Sequence, residues 1–216
     1  MISYEQALQL ILDKASCLGT ENVAIEDSVG RVLEEDIVSK IDMPPFDKSA
    51  MDGYALLSKD ISKVPSMLKC IGRIEAGTFF RRKIKSGECV KIMTGAPMPE
   101  NADCVVMVED AESYRAYIKI IKCVKKGENL CLMGEDIRRG KKVLNKGTRI
   151  RLSHVALLAA LGKSIVKVAK SPRISILNTG GEIVPLGRRL GKGQIYNSNG
   201  PMLGALVKSE GLQPLS

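Results

Sequence analysis

Four short segments of this 216-residue chain set carboxylates and hydroxyls among glycines and prolines, the residue types that hold a polar group on a stiff loop. In PPFDKSAMDGYAL, residues 44–56, two prolines stiffen one side and Ser49 and Ala50 allow close approach. There Asp52-Gly53 is a turn dipeptide that either presents a carboxylate at a loop tip or is an ordinary turn carrying a stray aspartate. In VKIMTGAPMP, residues 90–99, a strand ends at Thr94-Gly95, where a hydroxyl and adjoining backbone N–H groups suit a phosphate oxygen. In GEDIRRGKKV, residues 134–143, Glu135 and Asp136 face Arg138, Arg139, Lys141 and Lys142. That pattern either serves a magnesium–phosphate ligand from both ends or closes on itself as salt bridges. The fourth segment is NTGGE, residues 178–182, followed by GKGQIYNSNG, residues 191–200. It follows an apolar strand and precedes a helix pattern, the place where open α/β sheets bind phosphates, with Glu182 at the mouth of the crevice. Gly187, Gly191 and Gly193 do not have the spacing of a dinucleotide fingerprint.

The whole composition narrows the chemistry further. One histidine, His154, leaves almost no material for a histidine metal site or a serine–histidine relay. The six cysteines lack the close spacing of zinc or redox pairs and read as reduced thiols, so any metal would be held by oxygen. A net charge of +9 favours anionic partners. With 4% aromatic residues and no tryptophan, a stacking platform for nucleic acid is disfavoured and a phosphorylated small molecule preferred. No apolar run is long enough for a membrane span and the start is not a signal peptide, so the cytoplasm is expected.

The elements that must position these residues alternate in type. Ser3 with Gln6 makes a capping box for an amphipathic helix carrying Leu8, Ile11, Leu12 and Ala15, continuing towards Gly19. After Pro44-Pro45 the pattern becomes short strands at about 67–75, 88–93, 104–109 and 117–124, read as a small antiparallel β-domain. The helical pattern returns after Gly127. Ser153 is the expected cap of an apolar helix over 154–161, buried on most sides, with His154 in a packing or capping role. After Pro172, RISIL, the NTGGE turn and the helix GPMLGALVKSEG form a β-loop-α unit of the parallel kind. A parallel strand needs crossover neighbours, so the sequence is expected to stop inside an α/β domain.

Taken together, PPFDKSAMDGYAL, KIMTGAPMPENADCVVMVED, GENLCLMGEDIRRG and RISILNTGGEIV with GQIYNSN resemble the molybdopterin molybdenumtransferase family, which includes the E domain of gephyrin. The resemblance covers essentially the whole chain and identifies it with the family's N-terminal half. It implies an elongated α+β multidomain protein. A discontinuous dimerisation domain would comprise 1–43 and 127–170, an inserted antiparallel β-domain 44–126, and the beginning of a parallel α/β, molybdopterin-binding-like domain 171–216. It further implies a homodimer that inserts molybdate into adenylylated molybdopterin with magnesium and releases AMP, supplied by an upstream adenylyltransferase partner. By motif position Asp52, Thr94, Asp136 and Glu182 resemble the family's active-site residues. Asp136 and Glu182 would hold magnesium, and Ser49, Gly95, Thr179, Gly180, Asn197 and Ser198 would contact the substrate. Gly181 departs from the pattern, because many relatives carry an aspartate there. The family's second glycine-rich phosphate loop is absent from the sequence, so this chain alone is expected not to complete turnover. The alternative reading is a non-catalytic dimerisation or scaffold module of the same fold.

Overall fold

Alternating side chains in short β-branched runs dictate the largest element, since successive residues of a strand face opposite sides of a sheet. In the computed structural model, which describes residues 2–215, Tyr54 and Leu56 point to one side of the strand Gly53–Leu56 and Ala55 to the other. Met1 and Ser216, the ends of the expected first and third domains, lie outside the described residues. Six strands form one sheet in the order Cys104–Met107, Gly53–Leu56, Glu88–Ile92, Ser66–Ile74, Tyr117–Ile120, Ala111–Tyr114. One face buries Tyr54, Leu56, Leu68, Cys89, Val106 and Ile118. The other buries Ala55, Ile74, Val90, Ile92 and Val105 under Ile84 and Ala96. Two apolar faces explain why these strands carry so little polar alternation.

The sheet is mixed, which corrects the antiparallel expectation. Ser66–Ile74 pairs parallel with Glu88–Ile92, and the other four pairings are antiparallel. The connecting segment 75–87 crosses over instead of turning back as a hairpin, and period-two patterning carries no information on strand direction.

The chain divides into two compact units, one of Val38–Lys141 and the other of the chain up to Ile37 and from Lys142 onward. These bounds differ from the expected 44–126. Residues 39–43 pair with 137–141 through Ser39 N–H to Lys141 O (2.9 Å) and Met43 N–H to Ile137 O (2.7 Å). Such short irregular pairings have no strand signature in the sequence. The segment 171–215, expected as a separate domain, clusters with the second of these units.

In that unit Thr20–Ala24 pairs antiparallel with Ile165–Ala169, burying Val166 and Val168 with Leu33. Helix α1, Tyr4–Lys14, starts at the expected capping box: Ser3 Oγ accepts from Gln6 N–H (3.2 Å) and Gln6 Oε1 from Ser3 N–H (3.0 Å). It ends at Lys14, short of Gly19, and none of its residues is buried. Helix α2 spans Leu152–Ala160, with Arg151 at the N-cap position and Ser153 inside the first turn. His154 caps it instead of Ser153, its Nδ1 accepting from Arg151 N–H (3.3 Å). Only Leu158 of α2 is buried and Leu152 is 76% exposed, which corrects the expectation of burial on most sides. Helix α3, Asn199–Ser209, connects Ile174–Ser175 to Pro214–Leu215, and these two strands pair parallel, as expected of a β-loop-α unit. No helix of the described residues is long and apolar enough to cross a membrane.

Candidate functional site

Three of the four motif segments meet in the unit Val38–Lys141, and backbone bonding brings them there. Ser49 N–H donates to Ala96 O (3.0 Å) and Gly95 N–H to Ser49 O (2.8 Å), joining the first segment to the second. Lys48–Ser49 pairs with Leu130–Cys131, and Ala50 N–H donates to Asn129 O (2.9 Å), joining the first to the third. Asp47 Oδ1 accepts from Met133 N–H (2.7 Å) and Pro44 O from Gly134 N–H (2.9 Å), fixing the approach to Asp136. Ser49 is buried, and its Oγ donates to Met51 O (2.5 Å), so its hydroxyl shapes the turn.

At the end of this arrangement Asp52 and Thr94 are exposed and in contact. Asp52 Oδ1 accepts both the Thr94 backbone N–H and the Thr94 hydroxyl, each at 2.7 Å. The hydroxyl bond, then the N–H bond, hold the Asp52 carboxyl below its usual range, with Arg73 and Lys91 adding through-space attraction. Asp52 is therefore ionised at neutral pH. Gly53 is required for a reason the turn signal did not suggest. It lies in strand, and a Cβ there would sit 2.0 Å from Val106 O. Gly95, with φ +80°, supplies the reversal that aims Thr94 back at Asp52.

The expected anion nest of open N–H groups after Thr94 is not what this turn holds. Thr94, Gly95 and Ala96 N–H groups all donate within the chain, to Asp52 Oδ1, Ser49 O and Met93 O (3.0 Å). The third segment does not close on itself as salt bridges. Among the described residues neither Glu135 nor Asp136 pairs with Arg138, Arg139, Lys141 or Lys142. Glu135 Oε2 accepts from Leu132 N–H (2.9 Å), and the exposed Asp136 carboxylate has no hydrogen-bond partner among them.

The fourth segment belongs to the other unit and is described by itself. Glu182 is exposed; its backbone O accepts from Ile195 N–H (2.9 Å), while its carboxylate folds over Gly180, where a Cβ would lie 2.7 Å from Oε1. Thr179 and Ser198 are exposed. Asn197 Oδ1 accepts from Gly200 N–H (2.9 Å), so Asn197 caps α3 and Ser198 provides no side-chain cap. A groove of about 460 Å³ in this unit, between Val29–Val32, Ala169–Pro172 and Ser209–Leu212, is lined by none of these site residues.

Arg73 and Lys91 were not among the residues singled out from the sequence. They lie within strands rather than on a turn, and the register of the sheet places them near Asp52.

Motif loops converging on a mixed sheet, followed by a parallel β-loop-α unit, fit a MoeA-type multidomain fold. Residues 2–162 match the family model described as the MoeA N-terminal region (domain I and II), and the chain belongs to this family. It is 37% identical over 98% of its length to a molybdopterin molybdenumtransferase of Staphylococcus epidermidis, and 38% identical, over the same share, to one of Staphylococcus aureus. It covers 52% of each, so the chain spans about half the length of the curated relatives it matches. A crystal structure of the molybdopterin biosynthesis MoeA protein from Pyrococcus horikoshii OT3 superposes with a TM-score of 0.89 at 35% identity, over 100% of this chain and 59% of that one.

Proposed function

We propose that this chain serves molybdenum cofactor biosynthesis as part of a cytoplasmic molybdopterin molybdenumtransferase, inserting molybdate into adenylylated molybdopterin with release of AMP. The observation that carries this reading is the doubly bonded Asp52–Thr94 pair at the point where three family motifs are tied together. An ionised carboxylate and a hydroxyl oxygen fixed by it present preorganised acceptors to the donor groups or ordered waters of a substrate, and such chemistry rests on orientation and electrostatic stabilisation. Asp52 fixes the Thr94 hydroxyl, and the pair faces solvent where a substrate enters.

The donor chemistry fits magnesium. This ion takes oxygen ligands, commonly one or two carboxylates completed by phosphate oxygens and water. Asp136 and Glu182 are exposed, and among the described residues neither carboxylate is engaged in an ion pair or hydrogen bond. Among those residues no three His, Cys, Asp or Glu side chains gather as a metal set, and phosphate oxygens and water would complete the shell. Asp136 and Glu182, in different units, would each offer a carboxylate to such an ion, which when bound neutralises charge on the leaving phosphate. Ser49 and Gly95 hold the shape of the Asp52–Thr94 turn, and Thr179, Gly180, Asn197 and Ser198 form the second loop for the phosphorylated pterin.

The same reading includes a homodimer and an upstream adenylyltransferase partner. Support for the dimer comes from α1, whose Leu8, Ile11 and Leu12 are 42%, 67% and 57% exposed at helical spacing. The test of the function is AMP release from adenylylated molybdopterin, with molybdate and magnesium, by the full-length gene product. Release that depends on molybdate supports the enzyme. Dimer formation without any release supports the scaffold module instead.

A further inference from the structure

Lys91 on Glu88–Ile92 stands directly opposite Arg73 on the neighbouring strand Ser66–Ile74, in parallel register, and opposite Tyr54 on its other side. Opposed residues of adjacent strands project from the same face, with backbones about 4.8 Å apart. The sheet itself thus holds two cations side by side. Like charges placed directly opposite each other are destabilising. Packing gives no reason for them, because the face they share continues the apolar cluster of Tyr54, Cys89 and Val106, which a neutral side chain would extend.

Local carboxylates do not use up this charge. Arg73 donates through one Nη2 to the exposed Glu75 (2.9 Å), leaving most of its five N–H donors open. Among the described residues Lys91 makes no ion pair. Asp52 is near enough for both cations to lower its pKa, yet neither forms an ion pair with it, and its Oδ1 is already satisfied twice by Thr94. The strand end carrying Thr94 is tied to the residue after Arg73 through Met93 N–H to Ile74 O (3.1 Å). Gly53, beside Asp52, is opposite Ile92, beside Lys91. Two open cationic groups and the Asp52–Thr94 pair therefore border one stretch of surface.

We propose that Arg73 and Lys91 form a seat for a tetrahedral oxyanion beside the Asp52–Thr94 pair. This inference rests on the functional reading above and adds the groups that hold the anionic end of the ligand. A dianion placed across the two side chains removes their repulsion and accepts charge-assisted hydrogen bonds from both. The oxyanion is either molybdate itself or a phosphate of the adenylylated pterin, since both present oxygen tetrahedra of negative charge.

The experiment is calorimetric titration of the full-length protein with molybdate and, separately, with AMP and pyrophosphate, without turnover. The variants are Arg73→Gln, Lys91→Gln and the double substitution, with Lys119→Gln on Tyr117–Ile120 as the charge-loss control. The seat predicts binding weakened about tenfold by each single substitution, as loss of a charge-assisted bond entails, and unchanged in Lys119→Gln. Loss confined to molybdate assigns the seat to the metal oxyanion; loss confined to AMP and pyrophosphate assigns it to the phosphate end. Lys91→Arg should retain binding, and the ligand-free Lys91→Gln protein should melt no lower than the parent, because an opposed charge has gone. Equal affinities in the parent and the double variant would overturn the seat, even if molybdate-dependent AMP release were established. Charge-specific oxyanion binding in a protein that releases no AMP would keep the seat and discard the functional reading.

Discussion

Asp52 and Thr94, 42 residues apart, are joined through one carboxylate oxygen that accepts both the Thr94 hydroxyl and the Thr94 backbone N–H at 2.7 Å. The two bonds differ in what they hold. The N–H bond closes the turn, and the hydroxyl bond, whose proton goes to Asp52, holds the Thr94 oxygen in one orientation. Thr94→Ala should therefore keep the turn and lower AMP release by about tenfold or more, the effect of losing a positioned group in a transition state. Thr94→Ser should restore most of the rate. Equal rates for Thr94→Ala and the parent would remove Thr94 from the site.

The depressed Asp52 pKa has a definite sign in stability. Its folded value lies below the ordinary value of about 3.9. Its contribution is thus fully present above about pH 4 and is lost as pH falls through the folded value. The melting difference between parent and Asp52→Asn should stay flat from pH 8 down to about 5 and shrink only below about 4. A difference that changes between pH 6 and 8 would show another group to be responsible.

Two glycines in the motifs should respond to alanine very differently. Gly53→Ala forces a Cβ against Val106 O in a strand flanked on both sides, so a loss of about 3 kcal/mol or more, or failure to fold, is expected. Gly95→Ala meets no atom within 4 Å and pays only for its left-handed φ of +80°, about 1–2 kcal/mol. Urea unfolding of the two variants measures the contrast, and equal losses would contradict it.

The cysteines should sort by burial. Cys17 and Cys123 are exposed, whereas Cys89 and Cys104 are buried, and burial pushes the Cys89 thiol up strongly and that of Cys104 to about 12. Alkylation requires the thiolate. In the folded protein at pH 8, iodoacetamide should modify Cys17 and Cys123 first. Labelling of Cys89 or Cys104 at the same rate would contradict the buried sheet.

If α1 is a dimer surface, Leu8→Lys with Ile11→Lys should halve the mass measured by sedimentation and leave the circular dichroism unchanged. Both side chains are exposed within one chain, where substitutions usually cost within about 0.5 kcal/mol. An unaltered mass would reject this surface.

What was legible in the sequence was local. The Ser3–Gln6 capping box, the strands near 67–75, 88–93, 104–109 and 117–124 and the parallel β-loop-α unit follow from spacing alone, and the structure has them. The direction of Ser66–Ile74 against Glu88–Ile92 was not legible, because alternation is the same for parallel and antiparallel partners. Arg73 and Lys91 were hidden for a related reason: their proximity is a property of register, which no short motif records. The apolar run of α2 reads as burial on most sides, yet one chain covers only Leu158. Asp52 and Thr94 were legible as candidates through their glycines, and the two bonds joining them were not.

AMP release tests most directly the proposal that Asp52, Thr94, Asp136 and Glu182 each act in a molybdenumtransferase reaction. The full-length protein, its Asp52→Ala variant and its Glu182→Ala variant should be assayed with adenylylated molybdopterin, molybdate and magnesium, after all three are shown to melt alike. Molybdate-dependent release by the parent, reduced about a hundredfold in each variant as expected for groups acting in the transition state, is the result this account predicts. Undiminished release by Asp52→Ala or Glu182→Ala, or no release by the folded parent, would contradict it.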